Sequence, residues 1–137
     1  MTRRYAEDTK VPVAQSRTQI EAMLRKAGAE RVMHMDEPTE AVVMFLLAGR
    51  LIKLLAPISP DARDQERRRV WRALGLVIKA KLEATASGIE TVESAWLAHV
   101  VLPDGQTVSR WIEPQLQVAY ERGQMPTHPL LLEGPKA

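Results

Sequence analysis

At 137 residues, with 45% hydrophobic and 26% charged residues, the chain has the length and balance of one ordinary globular domain. It has no cysteine, which excludes a thiol nucleophile, a disulfide framework and a Cys-ligated zinc site. The formal net charge of +2 is unevenly placed: residues 61–83 carry seven Lys/Arg against four Asp/Glu, and residues 84–137 carry three against six.

That polarity suits head-to-tail or subunit contacts as well as it suits a polyanion. A domain of this size buries roughly two-thirds of its unfolded surface and needs no metal to fold. Aromatic residues are scarce, at 4% with a single Phe, so an aliphatic core is expected. The opening segment is charged and lacks an apolar stretch of the secretory type, and the longest apolar run, residues 41–48, is too short to span a bilayer. The expectation is a soluble, cytoplasmic protein with no membrane partner.

Residues 1–13 read as an extended arm, with Pro12 limiting any strand there to an edge. A first helix is expected from about residue 14–16 to Gly28, because Ile20, Met23, Leu24 and Ala27 fall on one face. Three strands follow, over 31–35, 40–47 and 51–58, with a turn around Pro38 and a tight hairpin at Ala48-Gly49. The apolar run before Gly49 also fits a buried helix, but it lacks a 3.6-residue period and ends in a turn signal.

Residues 59–88 read as one long helix. Ser59 is a candidate cap, Pro60 suits the first helical position, Asp61 and Asp64 favour the positive end of the dipole, and Gly88 is a stop. Such a helix is roughly 42 Å long and would cross the whole domain. Val70, Leu74, Val77 and Ile78 share a face flanked by Trp71, Ala73 and Leu82. Burying Leu74, Val77, Ile78 and Leu82 would contribute about 1.5–3 kcal/mol each.

Thr91 then caps a short helix over 92–99, and residues 102–105 form a turn. Thr107 caps a final helix that Gly123 stops, with Pro114 inside it either as a kink or as an early residue of a second helix. The tail, residues 124–137, carries Pro126, Pro129 and Pro135 and is expected to be irregular, with Leu130, Leu131 and Leu132 apolar enough to dock. The fold class is α+β: a three-stranded antiparallel sheet packed against one long central helix, with additional short helices at both ends. Residues 14–123 form its single domain.

Arg68, Arg72 and Lys79 line the long helix opposite its apolar face, with Gly75 between them to admit another backbone. This stripe is a candidate phosphate-contacting edge. Arg63 and Arg67 lie on the extension of the apolar face, where a partner chain or the acidic C-terminal third could meet them.

No catalytic constellation stands out. His34, His99 and His128 lie in different elements without metal-ligand spacing, and no phosphate loop or nucleophile elbow is present. Asp61, Asp64 and Glu66, like Glu90 and Glu93, read as first-turn helix acids. Trp71, Trp96 and Trp111 fall beside aliphatic residues and read as packing groups. The expectation is a non-enzyme with no catalytic residue, no metal and no cofactor.

Three stretches, residues 4–13, residues 71–84 and residues 101–111, resemble a group of small phage- and prophage-encoded proteins. The motifs are Tyr5-Ala6-Glu7-Asp8, Trp71-Arg72-Ala73-Leu74 and Leu102-Pro103-Asp104-Gly105 with Trp111. The resemblance covers both ends and the long helix and brings no catalytic residue. It implies a mobile-element protein acting beside host DNA replication, recombination or counter-defence. The leading expectation is therefore an accessory protein that binds nucleic acid, or a host nucleoprotein or defence complex, through Arg63, Arg67, Arg68, Arg72 and Lys79. The alternatives are a homo-oligomeric structural protein whose subunit interface could form a small-ligand pocket, and a hydrolase or nuclease using Asp61, Asp64 or Glu66.

Overall fold

Pro12 sets the first helix, because its fixed φ of −60° leaves its carbonyl free to accept from the Gln15 and Ser16 amides at 3.1 Å. The computed structural model describes residues 9–125. Most of the arm over 1–13 and of the tail over 124–137, including the Leu130–Leu132 docking expectation, lies outside them. Helix α1 (Val13–Lys26) buries Ser16, Ile20 and Leu24, one stripe at four-residue spacing, and Gly28 turns the chain out of it at φ 96°.

Strands β1 (Glu30–Asp36), β2 (Glu40–Leu47) and β3 (Arg50–Pro57) form an antiparallel meander with β2 in the centre. At the β2–β3 hairpin, Ala48 and Gly49 both have positive φ, 50° and 76°, as a two-residue turn matched to strand twist requires. In β1 the register slips between Glu30 and Met33, with Arg31 at φ 53° as the extra residue.

The pleat sends Ala41, Val43, Phe45 and Leu47 to the inner face, where they join Val32, Ile52 and Leu54 under the helices. The alternate residues Met33, Met35, Val42, Met44, Leu46, Leu51 and Leu55 form the outer face, and it too is apolar. This explains the unbroken apolar run of β2: one half of it meets the core, the other half a sheet surface that the described helices leave largely uncovered.

Helix α2 (Asp64–Ala86) has 23 residues, shorter than the expected span of 59–88. Ser59 caps a turn instead of the helix: its hydroxyl accepts from the Asp61 amide at 3.3 Å and its carbonyl from the Ala62 amide at 2.9 Å. The chain then runs extended through Arg63 before α2 begins. Nor is α2 alone in its layer, since α1 packs along it. Val70, Trp71, Leu74 and Ile78 are buried as the wheel anticipates, but Val77 is 46% exposed. The covered arc is narrower than the apolar arc, because the sheet and α1 reach only one side of the helix.

Helix α3 (Val92–Trp96) is held by a reciprocal cap, the Ser94 amide bonding the Thr91 hydroxyl and the Thr91 amide bonding the Ser94 hydroxyl, both at 3.0 Å. The expected single helix over 92–99 tightens into a 3₁₀ turn at Leu97–His99. Val100 then bridges Ile52 on the free side of β3, with the Val101 amide donating to the Leu51 carbonyl at 2.8 Å, and Val101 itself bridges Thr107. Helix α4 (Val108–Arg122) starts at Thr107, whose hydroxyl accepts from the Arg110 amide, runs through Pro114 and ends at Gly123 with φ 65°. It buries none of its residues.

The core is mainly aliphatic, as expected, but it is centred on aromatic rings. Its largest fully buried side chains are Trp71, Trp96 and Phe45, with the Phe45 and Trp96 rings edge to face at 5.2 Å. Few aromatics are present, but these three occupy the centre, where their large surfaces gain most.

Candidate functional site

Of the five basic residues singled out from the sequence, Arg67, Arg68, Arg72 and Lys79 lie on α2 and Arg63 immediately precedes it, and their surroundings differ. Arg67 is a structural clamp. Its guanidinium donates to Asp36 Oδ1 at 2.8 Å, to the Glu37 carbonyl at 3.0 Å and to the Pro38 carbonyl at 2.8 Å, tying α2 to the β1–β2 turn. Trp71 Nε1 donates to the same Asp36 oxygen at 3.0 Å.

Arg68 is held within its own helix by Asp64 Oδ2 at 2.6 Å and Gln65 Oε1 at 2.7 Å. Asp64 is thereby the partner of Arg68, and Glu66 is the partner of Arg69 at 3.3 Å. Two of the acids considered for hydrolysis thus serve local pairing.

Arg63, Arg72 and Lys79 have no carboxylate partner among the described residues. Arg63 precedes the first turn of α2 and is exposed. Arg72 donates to the neutral Gln19 Oε1 of α1 at 3.3 Å, and Lys79 is exposed two turns further on. Between them Gly75 lies against α1, where an added Cβ would meet Ile20 Cγ1 at 3.5 Å. The close approach expected at Gly75 is therefore made by a side chain of this same chain.

Beside that contact runs a groove of about 480 Å³ between α1 and α2, lined by Gln19, Met23, Trp71, Arg72, Leu76 and Lys79. It is apolar along its floor and cationic along one rim. The hydroxyl of Ser16, also in its lining, is buried without a hydrogen-bond partner among the described residues.

At the opposite side of α1, Arg17 donates from Nε to His34 Nδ1 at 2.8 Å and from Nη2 to the His34 carbonyl at 3.0 Å. A guanidinium only donates, so Nδ1 carries the lone pair and Nε2 the proton, which points to Glu21 Oε1 at 3.2 Å. Arg17 also sits over the Trp71 ring at 5.3 Å. Neither Arg17 nor Glu21 stands out in the sequence, since their partner His34 lies 17 and 13 residues away.

His99 lies half-buried beside Lys81. Its removal from water, and then the nearby ammonium, lower its pKa below the ordinary histidine value. Lys81 itself donates to the Ala95 carbonyl at 2.8 Å and lies 5.7 Å from the Trp96 ring centroid. Among the described residues no three His, Asp or Glu converge as metal ligands, and no helix is long and apolar enough to cross a membrane.

The charge of the whole helical layer is the feature no single motif reveals. Residues 10–26 carry Lys10, Arg17, Arg25 and Lys26 against Glu21, a surplus of three, and residues 61–83 carry a further surplus of three. Packing α1 beside α2 brings both onto one side of the molecule, away from the outer sheet face. Comparison with protein-family models, with curated proteins and with solved structures returned no match to this chain.

Proposed function

We propose that the protein is a non-enzymatic binding module that engages a polyanion, nucleic acid in the first instance, through the layer formed by α1 and α2. The observation that carries this reading is the joint surplus of five positive charges on α1 and α2, six with the flanking residues 10–12 and 61–63, with Arg63, Arg72 and Lys79 lacking a carboxylate partner among the described residues. Phosphate contacts need cations that are not already neutralised. Arg67 and Arg68 fall out of the contact set because each is committed to an intramolecular carboxylate. The wider setting, a phage- or prophage-encoded accessory protein of the host cytoplasm, rests on the sequence resemblance alone.

The test is binding to short DNA and RNA duplexes and single strands, followed by fluorescence anisotropy across a salt series. Replacing Arg72 and Lys79 together by Gln should weaken binding and lower the salt slope by about two, one for each phosphate that is no longer neutralised. No binding at about 50 mM salt would remove the direct reading, since polyanion affinity is greatest there. It would leave capture of a host nucleoprotein or defence complex, read by pull-down with the same variant as control.

A further inference from the structure

Two apolar surfaces of this chain carry no other described element. The first is the outer sheet face, where Met33, Met35, Leu51 and Leu55 are exposed around a buried Val42. The second is α4, which buries no residue and whose only substantial contact among the described elements is with the 3₁₀ turn Leu97–His99. Leu116 and Val118 are nearly half exposed and Tyr120 is 85% exposed. A helix of this length is marginal in water unless an apolar face is packed, and contiguous apolar sheet surface marks a contact site.

We infer that two copies of the chain exchange α4 reciprocally, each laying its helix across the outer sheet face of the other. The dimensions match. Strands of seven or eight residues in a three-stranded sheet make a face of about 14 by 26 Å. The 15 residues of α4 make a rod about 22 Å long and about 10 Å wide.

Area separates this arrangement from simple stacking of two sheets. Face-to-face stacking would bury only about 700 Å² in total, below the roughly 1,000 Å² of a specific interface. By the same projection each helix-on-sheet contact buries about 440 Å², so the two contacts of a reciprocal exchange bury about 900 Å², more than stacking and close to that lower bound.

Charge also fits. Lys53, opposite Met44 in the register, is the one cation within the outer face and has no ion-pair partner among the described residues. Glu113 lies one turn before Leu116 on α4, and among the described residues its carboxylate accepts only from the Ser109 hydroxyl, at 2.9 Å. In the exchanged dimer the ammonium and the carboxylate have each other to meet.

Because the chain has no cysteine, engineered thiols report contacts without background. A Leu55→Cys chain and a differently tagged Leu116→Cys chain, mixed and oxidised, should give the mixed disulfide as the main product. Sedimentation at tens of micromolar should show twice the chain mass for the native protein. Lys53→Glu should shift it toward monomer, and Lys53→Glu combined with Glu113→Lys should restore the dimer, both with unchanged far-UV circular dichroism. A monomeric native protein overturns the inference. So does a dimer in which Leu55→Cys links to itself in preference to Leu116→Cys, which would mean sheet stacking.

Discussion

Arg67 reaches from the first turns of α2 to Asp36 at the end of β1, closing the 2.8 Å contact with only about a fifth to a quarter of either side chain exposed. Asp36 Oδ1 shares that role between Arg67 and the indole of Trp71, so a single carboxylate oxygen orients both the clamp and the largest core residue. Arg67 thus belongs to the fold, while Arg72 and Lys79 have no carboxylate partner among the described residues. Arg67→Ala should destabilise the protein by about 2 kcal/mol, because it removes charged hydrogen bonds and leaves Asp36 short of a partner. Chemical denaturation checks this. Lys79→Ala should stay within about 0.5 kcal/mol of the native protein, as an exposed residue without partners would.

Gly75→Ala should stabilise the protein. The position is interior to α2, where glycine costs about 0.5–1 kcal/mol relative to alanine. The added methyl would meet Ile20 at 3.5 Å, an ordinary van der Waals contact. Thermal unfolding should rise by a few degrees. A fall would mean that α1 lies closer to α2 than the 3.5 Å contact describes.

Ala48 holds a left-handed backbone at φ 50° at an exposed position. Left-handed geometry costs an alanine about 1–2 kcal/mol, and Asn-Gly is the preferred pair for this turn. Ala48→Asn should therefore raise stability by about 0.5–1 kcal/mol, with no change in polyanion binding. Denaturant midpoints and the anisotropy assay read the two quantities separately.

His99 makes stability depend on pH in a defined direction. Its folded pKa is lowered by desolvation and by Lys81, so the native state binds its proton less readily than the unfolded chain does. The contribution is present above the unfolded value of about 6.5 and is lost as pH falls from there toward the lowered folded value. His99→Gln should flatten the stability profile below about pH 6.5. An unchanged profile in that variant would place the acid sensitivity elsewhere.

Much of the fold was legible because its signals are local. The Thr91 and Thr107 caps, the Gly28 and Gly123 stops and the Ala48-Gly49 hairpin each act within a few residues, and the structure has all of them. The start of α2 was misplaced for a related reason: Ser59, Pro60 and Asp61 suit a turn as well as a helix start, and only the extended backbone at Arg63 separates the two. Val77 illustrates the limit of a helical wheel. Its apolar side chain shares an arc with Leu74 and Ile78, yet whether the arc is covered depends on how far α1 and the sheet extend.

What the sequence by itself determined is the set of elements, their order and their apolar faces, because capping, turn geometry and periodicity are properties of neighbouring residues. What only the tertiary structure decided is which charges remain available. Arg67 meets its partners 29 to 31 positions away and Arg72 meets Gln19 at a separation of 53. Pairing between elements is set by where helix and strand come to lie in space, and an ion pair formed there removes a cation from the surface that a partner could use.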